Sequence, residues 1–259
     1  MEFLDTQIIS YKYKGNKDLF AGDINGRWIS SIVALEFLGI MIKGQNRAKM
    51  YPVKLKGIHP GIMVNLEHKK RGFELGKNCT DKLVIDFNGE FDSIVIYSNE
   101  AISHLINEKD LDTLLLFAQL SLDKEEYKKF RERAQFLVDN NIVVAPITQE
   151  IINRMHDIYE DIKHDYNVKD NYRNSFMDLL IVATAVEKKE KIISKDKELN
   201  KVLKKCCEYL NVSAYSEGIT SIFYQESNEK NEIKNDNKGY VNNSWKVMIR
   251  RDNIIEKGF

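Results

Sequence analysis

The segment at residues 174–199 constrains the fold and the chemistry of this 259-residue chain more than any other stretch. Its sequence, NSFMDLLIVATAVEKKEKIISKDKEL, begins with a predicted helix that is apolar on nearly every side, as expected for a helix packed against a sheet. A charged turn then leads to a short predicted strand at 191–194. We expect Asp178 at the start of the helix and Asp196 just past the strand to lie close together. Two acids placed in this way in a parallel α/β unit indicate a site for a divalent cation.

Two further acids occupy positions that suggest the same site. The apolar run at 3–4 predicts a first strand that ends at Asp5, and ligands of open parallel sheets bind outside the carboxyl ends of the strands. Capping of the following helix is an equally good local explanation of Asp5. The segment 28–41 predicts one helix with an apolar stripe, on which Glu36 falls. A carboxylate on such a stripe is costly unless it is paired, protonated or metal-bound, so the alternative there is a buried salt bridge.

Composition and charge exclude several classes of protein. Hydrophobic residues make up 43% and charged residues 30% of the chain, which is typical of a globular protein and not of a disordered one. The 39 basic residues balance 39 acidic ones, so any nucleic-acid surface has to be local. Three cysteines, two of them adjacent, favour a reduced, cytoplasmic setting. The acidic N-terminus does not resemble a signal peptide and no apolar run reaches the length of a membrane span, so no membrane association is expected.

Two basic segments are candidates for contact with nucleic acid. Lys12 and Lys14 alternate with tyrosines in a stretch that predicts either a solvated loop or a segment that grips phosphates and stacks bases. Residues 43–77 hold nine basic residues against two acidic ones and contain many glycines. The densest basic run in that segment is Lys69, Lys70 and Arg71. Such a local patch is the electrostatic footprint of a nucleic-acid site, and an ordinary solvated surface or a protein-partner surface is the alternative.

The pattern of predicted elements indicates a discontinuous α/β domain. Residues 1–42 and 135–225 alternate strands with helices, and we expect them to form a central parallel sheet. Residues 43–134 then form an inserted α+β segment, with a hairpin around the Asn-Gly pair at 88–89. Its predicted helices are 101–107, 110–120 and 124–138. The polar residues 226–259 are expected to form a C-terminal extension, either flexible or as an edge strand.

The four acids, with their surroundings, resemble the motifs of the PIN-domain nucleases. The matching elements are FLDT at Asp5, SSIVALEFL at Glu36, DLLIVATAVEKKEKIIS from Asp178, and SKDKE with Ser194, Asp196 and Glu198. The last two elements and the gap between them are specific, whereas the first two are common. Ser194 replaces a more frequent threonine and keeps its hydroxyl, and Glu198 replaces a second aspartate. The resemblance covers roughly 1–42 and 135–215, and the region between is longer than in compact members such as the VapC toxins.

This resemblance implies a three-layer sandwich around a parallel sheet and a Mg²⁺- or Mn²⁺-dependent endoribonuclease. The catalytic acids and metal ligands it implies are Asp5, Glu36, Asp178 and Asp196. Glu36 would bind directly or through water, Ser194 would hydrogen-bond a ligand or water, and the role of Glu198 as a ligand stays open. Carboxylates suit hard divalent cations, which lower the pKa of a bound water and neutralise charge on a phosphate. Repulsion between the four acids would raise their pKa values until metal binds.

Other functions stay open beside this one. A non-catalytic nucleic-acid-binding or adaptor protein of the same fold would be expected to lose acids, and all four are present. A DNA-directed relative of the flap-endonuclease type needs more carboxylates and a helical arch. A phosphatase of the haloacid dehalogenase type needs a second acid at the position of Gln7. The expected partner is RNA; the roles of toxin, phage-defence effector and processing enzyme stay open, as do an antitoxin partner and a homo-oligomer.

Overall fold

The computed structural model describes the parallel-sheet region almost completely and the rest of the chain in part. The described residues are 2–16, 20–41, 48–49, 82–87, 89–119, 122–164, 168, 172–196, 199–200, 202–203, 213–216, 220–223 and 239–242. They form the strands β1 (Glu2–Leu4), β2 (Trp28–Ser30), β3 (Ile40–Met41), β4 (Ala48–Lys49), β5 (Lys82–Ile85), β6 (Ile94–Tyr97), β7 (Val143–Ala145), β8 (Lys191–Ile193), β9 (Ser213–Ser216), β10 (Thr220–Phe223) and β11 (Gly239–Asn242). They also form the helices α1 (Thr6–Tyr13), α2 (Ser31–Leu38), α3 (Asn99–Asn107), α4 (Leu111–Gln119), α5 (Lys124–Asp139), α6 (Gln149–Ile162) and α7 (Tyr172–Glu187).

A four-stranded parallel sheet in the order β7-β2-β1-β8 forms the centre of the molecule. Strand β1 pairs with β2 on one side and with β8 on the other, and Leu4 lies opposite Ile193. The backbone N–H of Asp5 continues this ladder by donating to the Ile193 carbonyl at 3.1 Å. The prediction of a mixed α/β fold around a parallel sheet is therefore confirmed. Because β1 and β8 are neighbours, the residues that follow them meet at one edge of the sheet.

Helix α7 is buried on nearly every side over most of its length, as the sequence predicted. From Ser175 through Val186 every residue except Asp178 is buried, which places the helix in the interior. The expected start of this helix was wrong, because α7 begins at Tyr172 and Asp178 lies in its second turn. Packing explains the earlier start, since the Tyr172 ring stacks on Phe91 with centroids 5.4 Å apart. None of the helices in the described part of the chain is long and apolar enough to cross a membrane.

The prediction of one helix over 28–41 was wrong. Trp28–Ser30 form β2, which pairs with both β1 and β7, and only Ser31–Leu38 are helical. The Ser30 hydroxyl caps this helix by accepting from the Val33 N–H at 3.2 Å. The run WISSIVALEFL is apolar throughout, so its periodicity could not separate a buried strand from a buried helix.

Two asparagines of α3 satisfy the outer edge of β7, which lies at one end of the sheet. The Asn107 amide accepts from the Val144 N–H at 2.8 Å and donates to the Val144 carbonyl at 3.0 Å. The Asn99 amide accepts from the Ile147 N–H at 2.8 Å and donates to the Ile147 carbonyl at 2.9 Å. Its oxygen also accepts from the Ser31 hydroxyl at 2.6 Å. An edge strand leaves backbone groups unpaired unless another group covers them. Helix α3 therefore closes this edge with side chains instead of a further strand.

We expect Asn99→Ala to lower the free energy of unfolding by about 2–4 kcal/mol, because it leaves a buried backbone N–H and a buried hydroxyl without partners. Asn99 is 1% exposed, so water cannot replace the missing amide without entering the core. Urea denaturation measures the effect. The control is Asn153→Ala, which removes an exposed asparagine bonded to Gln149 on α6 and should change stability by less than about 0.5 kcal/mol. Equal midpoints for the two variants would contradict this role of α3.

The predicted hairpin in the inserted segment is present. Strands β5 and β6 pair antiparallel, with Lys82 opposite Tyr97 and Ile85 opposite Ile94. Strand β11 pairs antiparallel with the other edge of β5, so residues 239–242 of the C-terminal extension form an edge strand, one of the two expected outcomes. Strand β9 pairs antiparallel with β10, with Ser213 opposite Phe223.

The helices predicted at 101–107, 110–120 and 124–138 are confirmed as α3, α4 and α5. Helix α5 runs across the boundary expected at 134, and its buried residues Phe130, Ala134 and Leu137 belong to the core that also contains α2. Arg133 of α5 donates to the carbonyls of Phe37 and Gly39 at 3.0 and 2.6 Å, which ties α5 to the end of α2. The helices that follow the hairpin therefore pack directly on the parallel-sheet core.

Candidate functional site

Asp5 is the most buried of the four predicted acids, with 5% of its surface exposed. It caps α1, because its Oδ1 accepts from the Thr6 N–H at 2.6 Å, so the local explanation of this residue is confirmed. Its Oδ2 accepts from the Ser194 hydroxyl at 2.7 Å, just past β8. Capping and a role in the site are therefore compatible, since each uses a different carboxylate oxygen.

The electrostatics of Asp5 show that two other acids lie near it. Burial raises the pKa of the Asp5 carboxyl from its usual range to about 6. The hydrogen bonds from Ser194 and from the Thr6 backbone oppose this rise, whereas the negative charges of Asp196 and Asp178 add to it. Among the described residues, the groups that hydrogen-bond to the Asp5 carboxylate are neutral, so these two bonds do not neutralise its charge. Three carboxylates from β1, α7 and the end of β8 thus share one edge of the sheet.

Asp196 is half-buried and is held on both carboxylate oxygens. Its Oδ1 accepts from the Leu199 N–H at 3.1 Å, and its Oδ2 accepts from the Gln7 side-chain amide at 2.7 Å. Its backbone N–H donates to the Ser194 hydroxyl at 3.0 Å, and Ser194 in turn donates to Asp5. The turn after β8 therefore joins Asp196 to Asp5 through one serine.

Glu36 belongs to the same edge, but its predicted burial was wrong. It is exposed, and it is the one exposed residue of α2, because the helix is buried at all its other positions. Because α2 is apolar on every side, its sequence does not show which side faces the core. Glu36 lies on the side that faces solvent, so it carries no cost of a buried charge. Its Oε2 accepts from the Thr6 hydroxyl at 2.6 Å, which places it one residue from the buried Asp5. Glu36 thus lies at the open side of the acidic cluster.

The basic residues predicted to contact nucleic acid are described only in part. Lys12 lies within α1, where the sequence allowed a loop; its Nζ donates to the Ala21 carbonyl at 3.4 Å and lies 5.4 Å from the Phe20 ring centroid. Lys14 is exposed at the end of α1. Burial of Ile8 and Ile9 explains why the segment is helical. The remaining basic candidates, Lys69, Lys70 and Arg71, lie outside the described residues, as does Glu198, the possible further metal ligand.

The donor set fits a hard divalent cation by its chemistry. Within the described residues, no three Asp, Glu, His or Cys side chains already stand in a geometry that holds a metal ion. Mutual repulsion keeps carboxylates apart when no cation lies between them, and a carboxylate oxygen can accept more than one bond. Asp5, Asp178 and Asp196 could therefore ligate an ion without giving up the bonds to Ser194, Thr6 and Gln7. We call these three aspartates and Glu36 the acidic cluster.

Sequence reasoning missed two residues of this site, Thr6 and Gln7. They directly follow Asp5 in the first turn of α1, and their side chains bond to Glu36 and Asp196. Neither residue carries a charge, and their partners are distant in sequence, so no local pattern marks them. Their position directly after an acid at a strand end was the only available signal.

Comparisons of the chain with protein-family models, with curated proteins and with solved structures each found no match. The class that the fold and the site define is an α/β protein with an acidic cluster at the carboxyl edge of a parallel sheet. Its function is therefore argued from the chemistry of that cluster and from the motifs in the sequence.

Proposed function

We propose that this protein is a metal-dependent endoribonuclease with a PIN-like fold. The observation that carries the proposal is the burial of Asp5 beside the charges of Asp178 and Asp196, where the described groups that bond to its carboxylate, the Thr6 N–H and the Ser194 hydroxyl, are neutral. Ionised carboxylates in this arrangement are unfavourable in the protein without metal, and a bound divalent cation would offset the cost of their burial and mutual repulsion. The motifs that resemble PIN-domain nucleases fall on the same residues, which supports the choice of reaction.

In this proposal each acid has a distinct task. Asp5, Asp178 and Asp196 would hold Mg²⁺ or Mn²⁺, and the exposed Glu36 would bind it directly or through water on the side open to substrate. Such an ion would lower the pKa of a bound water and neutralise charge on the scissile phosphate. Ser194 and the Thr6 N–H fix the Asp5 carboxylate, and the Thr6 hydroxyl orients Glu36.

RNA is the proposed substrate class, and the basic residues are its proposed backbone contacts. Lys12 lies in the last turn of α1, the helix that Asp5 caps, and Lys14 is the C-cap of that helix. We propose that RNA bound at the acidic cluster extends along α1 to these two lysines. Phosphate contacts of this kind supply affinity that depends on salt. The biological setting, as a toxin with an antitoxin, a defence effector or a processing enzyme, would use the same chemistry.

A substrate panel tests this proposal. Purified protein is incubated with transfer RNA, messenger RNA and single-stranded DNA, each with Mn²⁺ or with EDTA. We expect cleavage of RNA with Mn²⁺ and none with EDTA. Cleavage of DNA alone would favour the DNA-directed alternative, and binding without cleavage would favour a non-catalytic nucleic-acid-binding protein.

Charge reversal of Lys69, Lys70 and Arg71 to glutamate should weaken RNA binding and flatten its dependence on salt. For single-stranded RNA, the slope of log affinity against log salt should fall by about 0.7 for every phosphate that is no longer neutralised. Fluorescence anisotropy with labelled RNA at several salt concentrations measures both effects. Reversal of three basic residues of α5, Lys124, Lys128 and Lys129, serves as the matched control. Unchanged binding would instead identify residues 69–71 as a protein-partner surface.

A further inference from the structure

We propose that Gln7 is a positioning residue of the acidic cluster and that Tyr11 completes the orientation of its side-chain amide. The inference rests on the proposed metal centre. It concerns how one carboxylate of that centre is held before the cation arrives.

The contacts of Gln7 link α1 to the turn after β8. Its Nε2 donates to Asp196 Oδ2 at 2.7 Å, between residues 189 positions apart in the sequence. Its Oε1 accepts from the Tyr11 hydroxyl, one helical turn further along α1, at 3.2 Å. An ionised carboxylate can only accept, so the amide must present Nε2 to Asp196 and Oε1 to Tyr11. Tyr11 therefore stabilises the one orientation of Gln7 that holds Asp196.

The same helical turn contacts three of the four acids. Asp5 caps α1 through the Thr6 N–H, Thr6 bonds to Glu36 through its hydroxyl, and Gln7 bonds to Asp196. Consecutive residues of one short segment thus fix acids that come from β1, α2 and the end of β8. The fourth acid, Asp178, belongs to α7.

Gln7 and the Leu199 N–H together fix both oxygens of Asp196. Without Gln7 the hydrogen bond from its amide to Oδ2 is lost. The Asp196 carboxylate then has one restraint fewer against rotation of its side chain under repulsion from Asp5. The bond from Gln7 holds the Asp196 carboxylate near Asp5 against this repulsion. Gln7 therefore favours binding of a cation more than it stabilises the metal-free fold. Removal of a group that orients a metal ligand typically weakens metal binding 10–100-fold.

Isothermal titration of the full chain with Mn²⁺ tests the proposal. We expect Gln7→Ala to weaken Mn²⁺ binding by about 10–100-fold. Tyr11→Phe should weaken it by up to about fivefold, because Gln7 keeps its bond to Asp196 but loses the bond from the Tyr11 hydroxyl. Both variants should melt within a few degrees of the wild type in EDTA. The control is Gln135→Ala, because Gln135 donates to Asp139 at the same 2.7 Å on the exposed face of α5. Its Mn²⁺ affinity should equal that of the wild type.

The outcomes separate this inference from the proposed function. Wild-type binding of Mn²⁺ with an equal affinity in Gln7→Ala would overturn the positioning role and leave the metal centre in place. Loss of the folded state in Gln7→Ala, seen by circular dichroism in EDTA, would show a structural role and would also overturn it. A wild-type protein that binds no Mn²⁺ would overturn both the positioning role and the metal centre.

Discussion

Asp178→Asn is expected to reduce Mn²⁺-dependent RNA cleavage by at least about 1000-fold, which corresponds to about 4 kcal/mol of transition-state stabilisation. The substitution keeps the size of the side chain but removes the charge that a divalent cation requires. Asp178 is the half-buried residue in an otherwise buried stretch of α7, and its negative charge acts on the Asp5 carboxyl. Single-turnover cleavage of a labelled RNA with Mn²⁺ measures the loss.

Asp112→Asn is the matched control for this variant. Asp112 is an exposed aspartate in the first turn of α4, and its replacement should leave cleavage within about twofold of the wild type. Far-ultraviolet circular dichroism should show that both variants are folded. Undiminished cleavage by Asp178→Asn would remove Asp178 from the site and, with it, the assignment based on the sequence motif.

Asp5→Asn is expected to stabilise the metal-free protein while abolishing its activity. At pH 7.5 in EDTA the gain should be roughly 2–3 kcal/mol, because burial raises the pKa of Asp5 to about 6 and its ionisation is then unfavourable in the folded state. Asparagine can keep both contacts: its carbonyl accepts from the Thr6 N–H, and its amide donates to the Ser194 hydroxyl oxygen. Urea denaturation of the two proteins measures the difference.

The pH dependence of this gain has a defined sign. A carboxyl whose pKa is higher in the folded state favours folding at low pH, and this contribution is lost as the pH rises from about 4 to about 6. The advantage of Asp5→Asn should therefore be nearly complete at pH 7.5 and small near pH 4. Mn²⁺ should stabilise the wild type and not the variant. A variant less stable than the wild type at pH 7.5 in EDTA would mean that Asp5 serves only as a helix cap.

The sequence predicted the two short strands that Asp5 and Asp196 follow, whereas the predicted start of the helix that carries Asp178 was wrong. The residues that follow these two strands meet at one edge of the sheet because β1 and β8 are parallel neighbours. The apolar run after Asp178 could only be an interior helix, and it is one. Periodicity and strand ends, which are local properties of a sequence, were sufficient for these predictions.

Contacts between distant residues could not be predicted in the same way. The bond from Gln7 to Asp196 depends on the register between β1 and β8 and on the first turn of α1, which no local pattern contains. The side-chain pairing of Asn99 with the edge of β7 is of the same kind. Polar residues that bond to a partner far along the chain have the same composition as residues that face water, so only the fold distinguishes them.

The exposure of Glu36 shows a second limit of sequence reasoning. Its neighbours in α2 are so uniformly apolar that a stripe can be drawn through almost any of them. The structure buries all of them and leaves Glu36 at the surface, bonded to Thr6. The assignment of Glu36 to the proposed metal site therefore rests on its motif and not on the burial of its charge.

The most direct test of the proposed metal centre is an anomalous difference map from a crystal of the wild-type protein soaked in Mn²⁺. We expect a peak bounded by carboxylate oxygens of Asp5, Asp178 and Asp196 at Mn²⁺–oxygen ligand distances. The same map for Asp178→Asn should show the peak reduced or absent. The proposed centre would be contradicted if protein from dissolved crystals cleaves RNA with Mn²⁺ and the map shows the ion bound away from these three aspartates.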